Sequence, residues 1–414
     1  MIPISEAFQI IEREIAPLGI ETIDLAGSIG RVLAETVRAD LDLPPFDRSQ
    51  MDGFAVRRDD AREAPARLRV IGESVAGRGF DGEVNAGEAV RIMTGARVPA
   101  GADAVQKVES TREADGLVEI LEPVKPRENI VARAEEIKKG TVIFETGETI
   151  TAHKIASLAS FGCARVKVYA KPAISILATG SEIVDISETP GRDQIRNSNS
   201  IMLAALAQSL GVEAETLPLV RDDLDSLKQA IAEAAGYNLE SAKALDSTEN
   251  RKPKTDLLIL SGGVSVGDYD FTKPALRALG AEIFFEKVSL KPGKPAVFAR
   301  LGNAFVFGLP GNPVSVAVTF YLFVRRAIRR MQAAREIGLR KGRAVAAHRL
   351  KGARERDSFL PVSLATDERG RIVIESLRFS GSSNFIAFAS AEALVFVPRG
   401  VSYEAGETAE ILFL

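Results

Sequence analysis

Glycine, hydroxyl and charged residues recur together at a few places in this 414-residue chain, and the chemistry they suit is the handling of anions. SGGVSVGDYD, residues 261–270, follows the apolar run TDLLIL. Gly262 and Gly263 can turn with positive φ and leave room for a ligand against the backbone, whose freed N–H groups can cradle an anion. Ser265 adds a hydroxyl. Asp268 and Asp270 would repel a phosphate directly, so they suit magnesium, a ring amine or another donor. In KVSLKPGKPAVF, residues 287–298, Lys287, Lys291 and Lys294 gather around a turn restricted by Pro292, Gly293 and Pro295. One lysine about 4 Å from an anion, at an effective dielectric near 20, contributes roughly 4 kcal/mol before desolvation. FGLPGNPVSVAVTF sets Gly311 and Asn312 between Pro310 and Pro313, ahead of an apolar helix whose first N–H groups favour anions. Ser315 can cap that helix or bind.

Smaller signals accompany these. LATGSEIV places Ser181 and Glu182 just past a strand, RSQMDGFAV sets Asp52 beside Gly53, and RIMTGARVP contributes Thr94. Gln194, Asn197 and Asn199 suit helix caps or turns, His153 reads as a surface or packed residue rather than a base, and Cys163 as structural. Each stretch taken alone also fits a solvated or structural turn, and spacing does not by itself put the acids in one pocket. No GxGxxG and no GxxxxGK[ST] occurs, so neither a dinucleotide fingerprint nor a P-loop is present.

Composition narrows the classes. The chain is 46% hydrophobic and 26% charged with a formal net charge of -3, a globular balance without the basic patch of a nucleic-acid binder. One cysteine and two distant histidines exclude an intrachain disulfide and a Cys- or His-rich metal centre, leaving an oxygen-ligated magnesium site open. The opening MIPISEAFQIIEREI has no signal-peptide pattern and no apolar run reaches spanning length, so the expectation is a cytoplasmic protein with no membrane partner.

The elements that must position these groups follow from periodicity. Residues 5–18 have one apolar helical face, with Ser5 as the candidate N-cap. IETIDLAGSIGRVLAETVRAD reads as a strand, a turn and a short helix, and residues 65–135 as a small all-β region. From 172 onward strands alternate with helices, which predicts a mainly parallel sheet with ligands outside the carboxyl ends of its strands. The strand ends ATG (178–180), SGG (261–263) and GLPGNP (308–313) would gather on that edge. Residues 237–255 read as a surface excursion and 341–414 as a terminal β domain.

SQMDGFAV, RIMTGARVPAGADAV, LATGSEIV, SGGVSVGDYD, KPGKP and GLPGNPVS occur in the order found in molybdopterin molybdenumtransferases, and nearly the whole chain resembles these MoeA-like enzymes, relatives of the gephyrin E domain. The resemblance implies a multidomain α/β and β fold. Residues 1–50 and 136–171 would form a segmented linker and dimerisation domain, 51–135 an inserted β domain, 172–335 a molybdopterin-binding α/β domain and 336–414 a C-terminal β barrel. It implies insertion of molybdate into adenylylated molybdopterin with release of AMP, dependent on Mg2+. The expected partners are a second copy in a homodimer, the molybdopterin adenylyltransferase and cofactor-accepting enzymes. Asp52 and Thr94 would complete a cleft across the dimer interface. Glu182, Asp222 and Asp270 would be the metal-handling acids, Lys287 and Lys291 the basic positions, and Arg356 and Ser383 the C-terminal polar positions. Departures from the family pattern are Ala134-Glu135-Glu136 for GED, Asn197-Ser198-Asn199 for DSN, and Phe54 for tyrosine. The related adenylyltransferase reaction, a non-enzymatic scaffold and tungstate handling remain as alternatives.

Overall fold

A computed structural model of the chain describes residues 1–238, 243–244, 255–264, 270–377 and 384–414. Ser265, Asp268, Ser383 and most of the 237–255 excursion therefore lie outside the described residues. The chain divides into two units, Met1–Glu35 with Thr146–Ile155 and Arg165–Leu414, and Thr36–Glu145 with Ala156–Ala164.

The larger unit is built on a six-stranded sheet. Strands Ala214–Thr216, Ile174–Ala178, Leu257–Ser261 and Ala304–Leu309 run parallel in that order. Strands Val297–Leu301 and Glu282–Phe285 then continue the sheet antiparallel. The expectation of a mainly parallel sheet thus holds for the strands that carry glycine at their ends. ISILA and LLILS are buried at every position because helices cover both faces. Leu257 and Ile259 pack into one apolar cluster and Leu258 and Leu260 into another, as a period of two requires.

The surrounding helices start and stop where their sequences direct. Helix Ser198–Ser209 is capped by Asn197, whose side chain accepts from the Ser200 N–H, and helix Leu224–Ala235 by Asp223, which accepts from the Ser226 N–H. The N-terminal helix spans Ile4–Glu14 with Pro3 at its cap, so Ser5 lies inside it rather than capping it. The fixed φ of proline is compatible with a helix entry, which lets the helix begin before the hydroxyl. The helical run after Asn312 comprises Pro313–Thr319, a π turn at Phe320–Val324 and Arg325–Met331.

C-terminal to these, strands Asp357–Thr366, Ile372–Ser376, Lys341–Ala346, Thr408–Phe413 and Ala393–Val397 pair in a ring, the last returning to the first. Val362, Ile374, Val395 and Ile411 fill the closed barrel. The fold is therefore multidomain α/β with a β barrel. Near the N-terminus, Ile20–Asp24 pairs antiparallel with Arg165–Tyr169, so one β ribbon is assembled from distant segments. The short helix expected after it is absent; a 3-10 turn at Leu25–Gly27 and a strand at Val37–Arg38 stand there instead. Gly27 and Gly30, with the β-branched Ile29 and Val32, favour neither nucleation nor propagation of a helix.

The second unit holds another six-stranded sheet, ordered Ala104–Lys107, Gly53–Val56, Glu88–Ile92, Ala66–Ser74, Leu117–Ile120 and Thr111–Ala114. Phe54, buried at 1% exposure, belongs to its core.

Candidate active site

The three glycine-bearing strand ends meet in register. Ala178 lies opposite Ser261, and Ser261 opposite Leu309, so Thr179-Gly180, Gly262-Gly263 and Pro310-Gly311 leave the sheet side by side. Gly262 has φ +102°, and a Cβ there would come within 2.5 Å of the Thr179 carbonyl oxygen. Only glycine lets these two strand ends approach so closely. Buried Thr272 secures the turn, its hydroxyl donating to the Gly262 carbonyl at 3.3 Å and its N–H to that of Gly263 at 3.1 Å.

On one side of this edge is a cavity of about 880 Å³ lined by Glu182, Asp222, Asp270, Gly262, Gly263, Gly311 and Asn312. Asp222 is a structural clasp as well as a wall. It accepts from the Thr179 hydroxyl at 2.6 Å and from the Ser181 N–H at 3.0 Å, holding the TGSE loop to the strand end beside it. Glu182 is exposed at the cavity mouth.

On the other side is a cavity of about 990 Å³ lined by Lys291, Lys294, Gly311, Asn312, Ser315 and Arg356. Its basic groups come together because Leu290–Lys291 pairs in parallel with Asp357–Ser358 of the barrel. Arg356 also donates to the Leu290 carbonyl at 3.2 Å. The two cavities thus share the Gly311–Asn312 wall; the first is lined by three carboxylates together with Arg196, the second by cations alone among its charged groups.

Asn199 ties this wall to the sheet. Its amide donates to the Ser261 hydroxyl at 3.1 Å and to the Gly311 carbonyl at 2.7 Å. Of the groups read as caps or turns, Asn197 caps and Gln194 closes a turn by accepting from the Gly191 N–H; Asn199 bridges.

Asp52 and Thr94 meet in the second unit. Asp52 accepts from the Thr94 N–H at 2.7 Å and from its hydroxyl at 2.9 Å. These bonds, the backbone one foremost, hold the Asp52 carboxyl below the ordinary carboxylate range. A Cβ on Gly53 would fall 1.9 Å from the Gln106 carbonyl oxygen, so the strand after Asp52 admits only glycine at its start. Lys287 stands apart from the other lysines: its carbonyl accepts from the Ile2 N–H, and it lines neither of these cavities.

Arg349, Lys351 and Ser376 also line the basic cavity and were not singled out from sequence. The readable signal was the alternation in HRLK, where the basic Arg349 and Lys351 flank buried Leu350 at the start of the strand Leu350–Lys351. Among the described residues, no three His, Cys, Asp or Glu side chains are grouped closely enough to form a metal site by themselves. No described helix is long and apolar enough to cross a membrane.

Comparison with known proteins accounts for all three parts of the chain. Residues 2–162 match the MoeA N-terminal region (domain I and II), 175–330 a probable molybdopterin binding domain, and 343–414 the MoeA C-terminal region (domain IV). A molybdopterin molybdenumtransferase of Staphylococcus aureus (strain COL) is 36% identical over 99% of this chain and 95% of its own length. One from Haemophilus influenzae is 36% identical over 95% of this chain and 94% of its own. The crystal structure of a molybdopterin biosynthesis moeA protein from Pyrococcus horikoshii OT3 superposes with a TM-score of 0.81 at 28% identity, covering 100% of both chains. The chain belongs to the MoeA family, the molybdopterin molybdenumtransferases of molybdenum cofactor biosynthesis.

Proposed function

We propose that this protein inserts molybdate into adenylylated molybdopterin and releases AMP as the pyrophosphate link is cleaved. The observation that carries the reading is the common Gly311–Asn312 wall between an acidic and a basic cavity at the carboxyl edge of a parallel sheet. A substrate with both a pyrophosphate and an oxyanion partner needs cations to hold negative charge and acids to manage the metal beside it. Lys291, Lys294 and Arg356 hold the incoming oxyanion or a phosphate, and the backbone N–H groups of Gly263 and Gly311 orient the nucleotide–pterin chain, that of Gly262 being spent on the Leu309 carbonyl. Ser315 and, by resemblance, Ser265 and Ser383 supply hydroxyls to the same substrate. Lys287 is assigned to the same charge by resemblance alone. Asp52, kept ionised by Thr94, is assigned to the molybdate side. The domain boundaries expected from sequence belong to this reading, as does a homodimer.

Glu182, Asp222 and Asp270 suit a magnesium ion of the kind that takes one or two carboxylates and completes its octahedron with phosphate oxygens and water. When bound there, the ion would supply Lewis-acid stabilisation of the phosphate oxygens. The protein's own share is to position the substrate beside these carboxylates.

The test is a pair of assays on the purified chain with magnesium, one containing ATP and molybdopterin, the other adenylylated molybdopterin and molybdate or tungstate. Turnover in the second alone supports the reading and reports the metal preference. Turnover in the first alone assigns the protein to the adenylyltransferase reaction instead. Asp270→Asn should cut turnover in the second assay while the protein stays folded; full activity in that variant removes Asp270 from the mechanism.

A further inference from the structure

The wall of the basic cavity contains a serine bonded to a histidine. Ser376 lines the cavity at the end of strand Ile372–Ser376, and His348 precedes Arg349 and Lys351, which line it too. Strand Lys341–Ala346 pairs in parallel with Ile372–Ser376 at Val345–Val373 and Ala346–Ile374, and the Ala347 N–H donates to the Ile374 carbonyl. That register brings His348 alongside Ser376. The Ser376 hydroxyl oxygen stands 2.6 Å from Nε2 of His348, and the Ser376 N–H donates to the same nitrogen at 3.3 Å.

The shared nitrogen fixes the protons. A backbone N–H only donates, so Nε2 accepts, the ring is neutral and its hydrogen is on Nδ1. The Ser376 hydroxyl then donates to Nε2 as well and leaves only lone pairs for anything in the cavity. A tetrahedral oxyanion accepts hydrogen bonds and gains nothing from such a hydroxyl. Protonation of the ring reverses the arrangement. Nε2 becomes a donor, the Ser376 oxygen accepts from it, and the hydroxyl hydrogen is released to the cavity that Lys291, Lys294 and Arg356 already make attractive to anions.

We propose that His348 is a positioning residue for the oxyanion: protonated, it makes Ser376 a donor to a tetrahedral dianion in the basic cavity, and neutral, it withdraws that donor. The proposal rests on the reading of the basic cavity as the oxyanion side of the reaction. The other charged groups on the elements packed against His348 are Glu375 on the partner strand, Glu404 and Glu407 in the turn before Thr408, and Arg349 and Lys351 on its own segment. Arg349 pairs with Glu404 at 3.0 Å, and Glu407 accepts from the Glu404 N–H at 2.7 Å. Carboxylates, lysine and arginine ordinarily change charge well outside the range in which imidazole does, so the histidine is the group of this neighbourhood that responds near neutral pH.

Isothermal titration of the full chain with dilute molybdate, a dianion throughout the range, at about pH 6 and about pH 8 tests the proposal. The parent should bind about tenfold more tightly at the lower pH, the scale of one charge-assisted hydrogen bond gained. His348→Gln keeps an acceptor for Ser376 but takes no proton, so its affinity should stay within about twofold of the parent's high-pH value at both settings. Ser376→Ala should cut the low-pH gain to about threefold or less, because the histidine charge remains and the hydroxyl does not. His348 is exposed and Ser376 half-buried, so neither variant removes core packing. Lys291→Ala reports on the cavity itself and should weaken molybdate at both pH values. Affinity that does not change with pH in the parent, an undiminished pH response in His348→Gln, or the full low-pH gain in Ser376→Ala overturns the role of His348 and leaves the oxyanion cavity standing. No saturable binding to the parent, or unchanged binding to Lys291→Ala, overturns the cavity reading and the proposal with it.

Discussion

At the scale of single residues, charge is set by a few short hydrogen bonds. Asp52 is exposed, yet the Thr94 N–H and hydroxyl keep its carboxyl below the ordinary value, the backbone bond contributing most. A depressed carboxyl contributes stability above its unfolded pKa and loses it as pH falls through the folded value. Thr94→Val keeps the backbone donor and removes the hydroxyl. The Asp52 pKa should then rise part of the way toward 3.8, read by carboxyl NMR titration, and the Asp52 contribution should fade at a higher pH than in the parent. A pKa that does not move would mean the hydroxyl bond is not made in solution. In the basic cavity, Lys291→Ala should lower turnover by about a hundredfold, the scale of losing one preorganised charge at a reacting phosphate, with circular dichroism unchanged. Turnover within a factor of two of the parent would remove Lys291 from the site.

At the scale of elements, the geometry of the site is the geometry of strand ends in register. Gly262→Ala places a methyl group against the Thr179 carbonyl at a φ that L-residues rarely adopt. It should cost about 1–3 kcal/mol in urea unfolding, and turnover should fall with it because both cavities share this edge. A neutral result would mean the edge relaxes freely. Much of this was legible in sequence: TDLLIL and AISILA are too apolar for a one-faced strand, and glycine after each announces a turn. The antiparallel end of the sheet was less visible, because its signal is the tight LGNA turn joining Val297–Leu301 to Ala304–Leu309, inside a run that also suits consecutive buried strands. The π turn had no signal at all, since FYLFV is equally apolar in α and π registers. The bridging role of Asn199 was hidden for a related reason. An asparagine near a helix start reads as a cap, and only the third dimension brings Ser261 and Gly311 to it.

At the scale of the whole molecule, the order of motifs carried more than any one of them. Lys291 and Arg356 are far apart in sequence and become neighbours only because the KPGKP segment pairs with a barrel strand. Lys287 and Lys291 are close in sequence, yet only the second lines the basic cavity. Linear spacing therefore located the chemistry but not its grouping. The homodimer in the proposed function implies a solution mass of twice 44.4 kDa by light scattering. A monomer that still turns over would detach assembly from activity. The most direct measurement of the central claim is single-turnover analysis with adenylylated molybdopterin, magnesium and molybdate, following AMP and completed cofactor together. The account predicts one AMP released for each cofactor formed, both depending on Lys291 and Asp270. Cofactor formed without AMP, or AMP released at the same rate in the Lys291→Ala and Asp270→Asn variants, would contradict it.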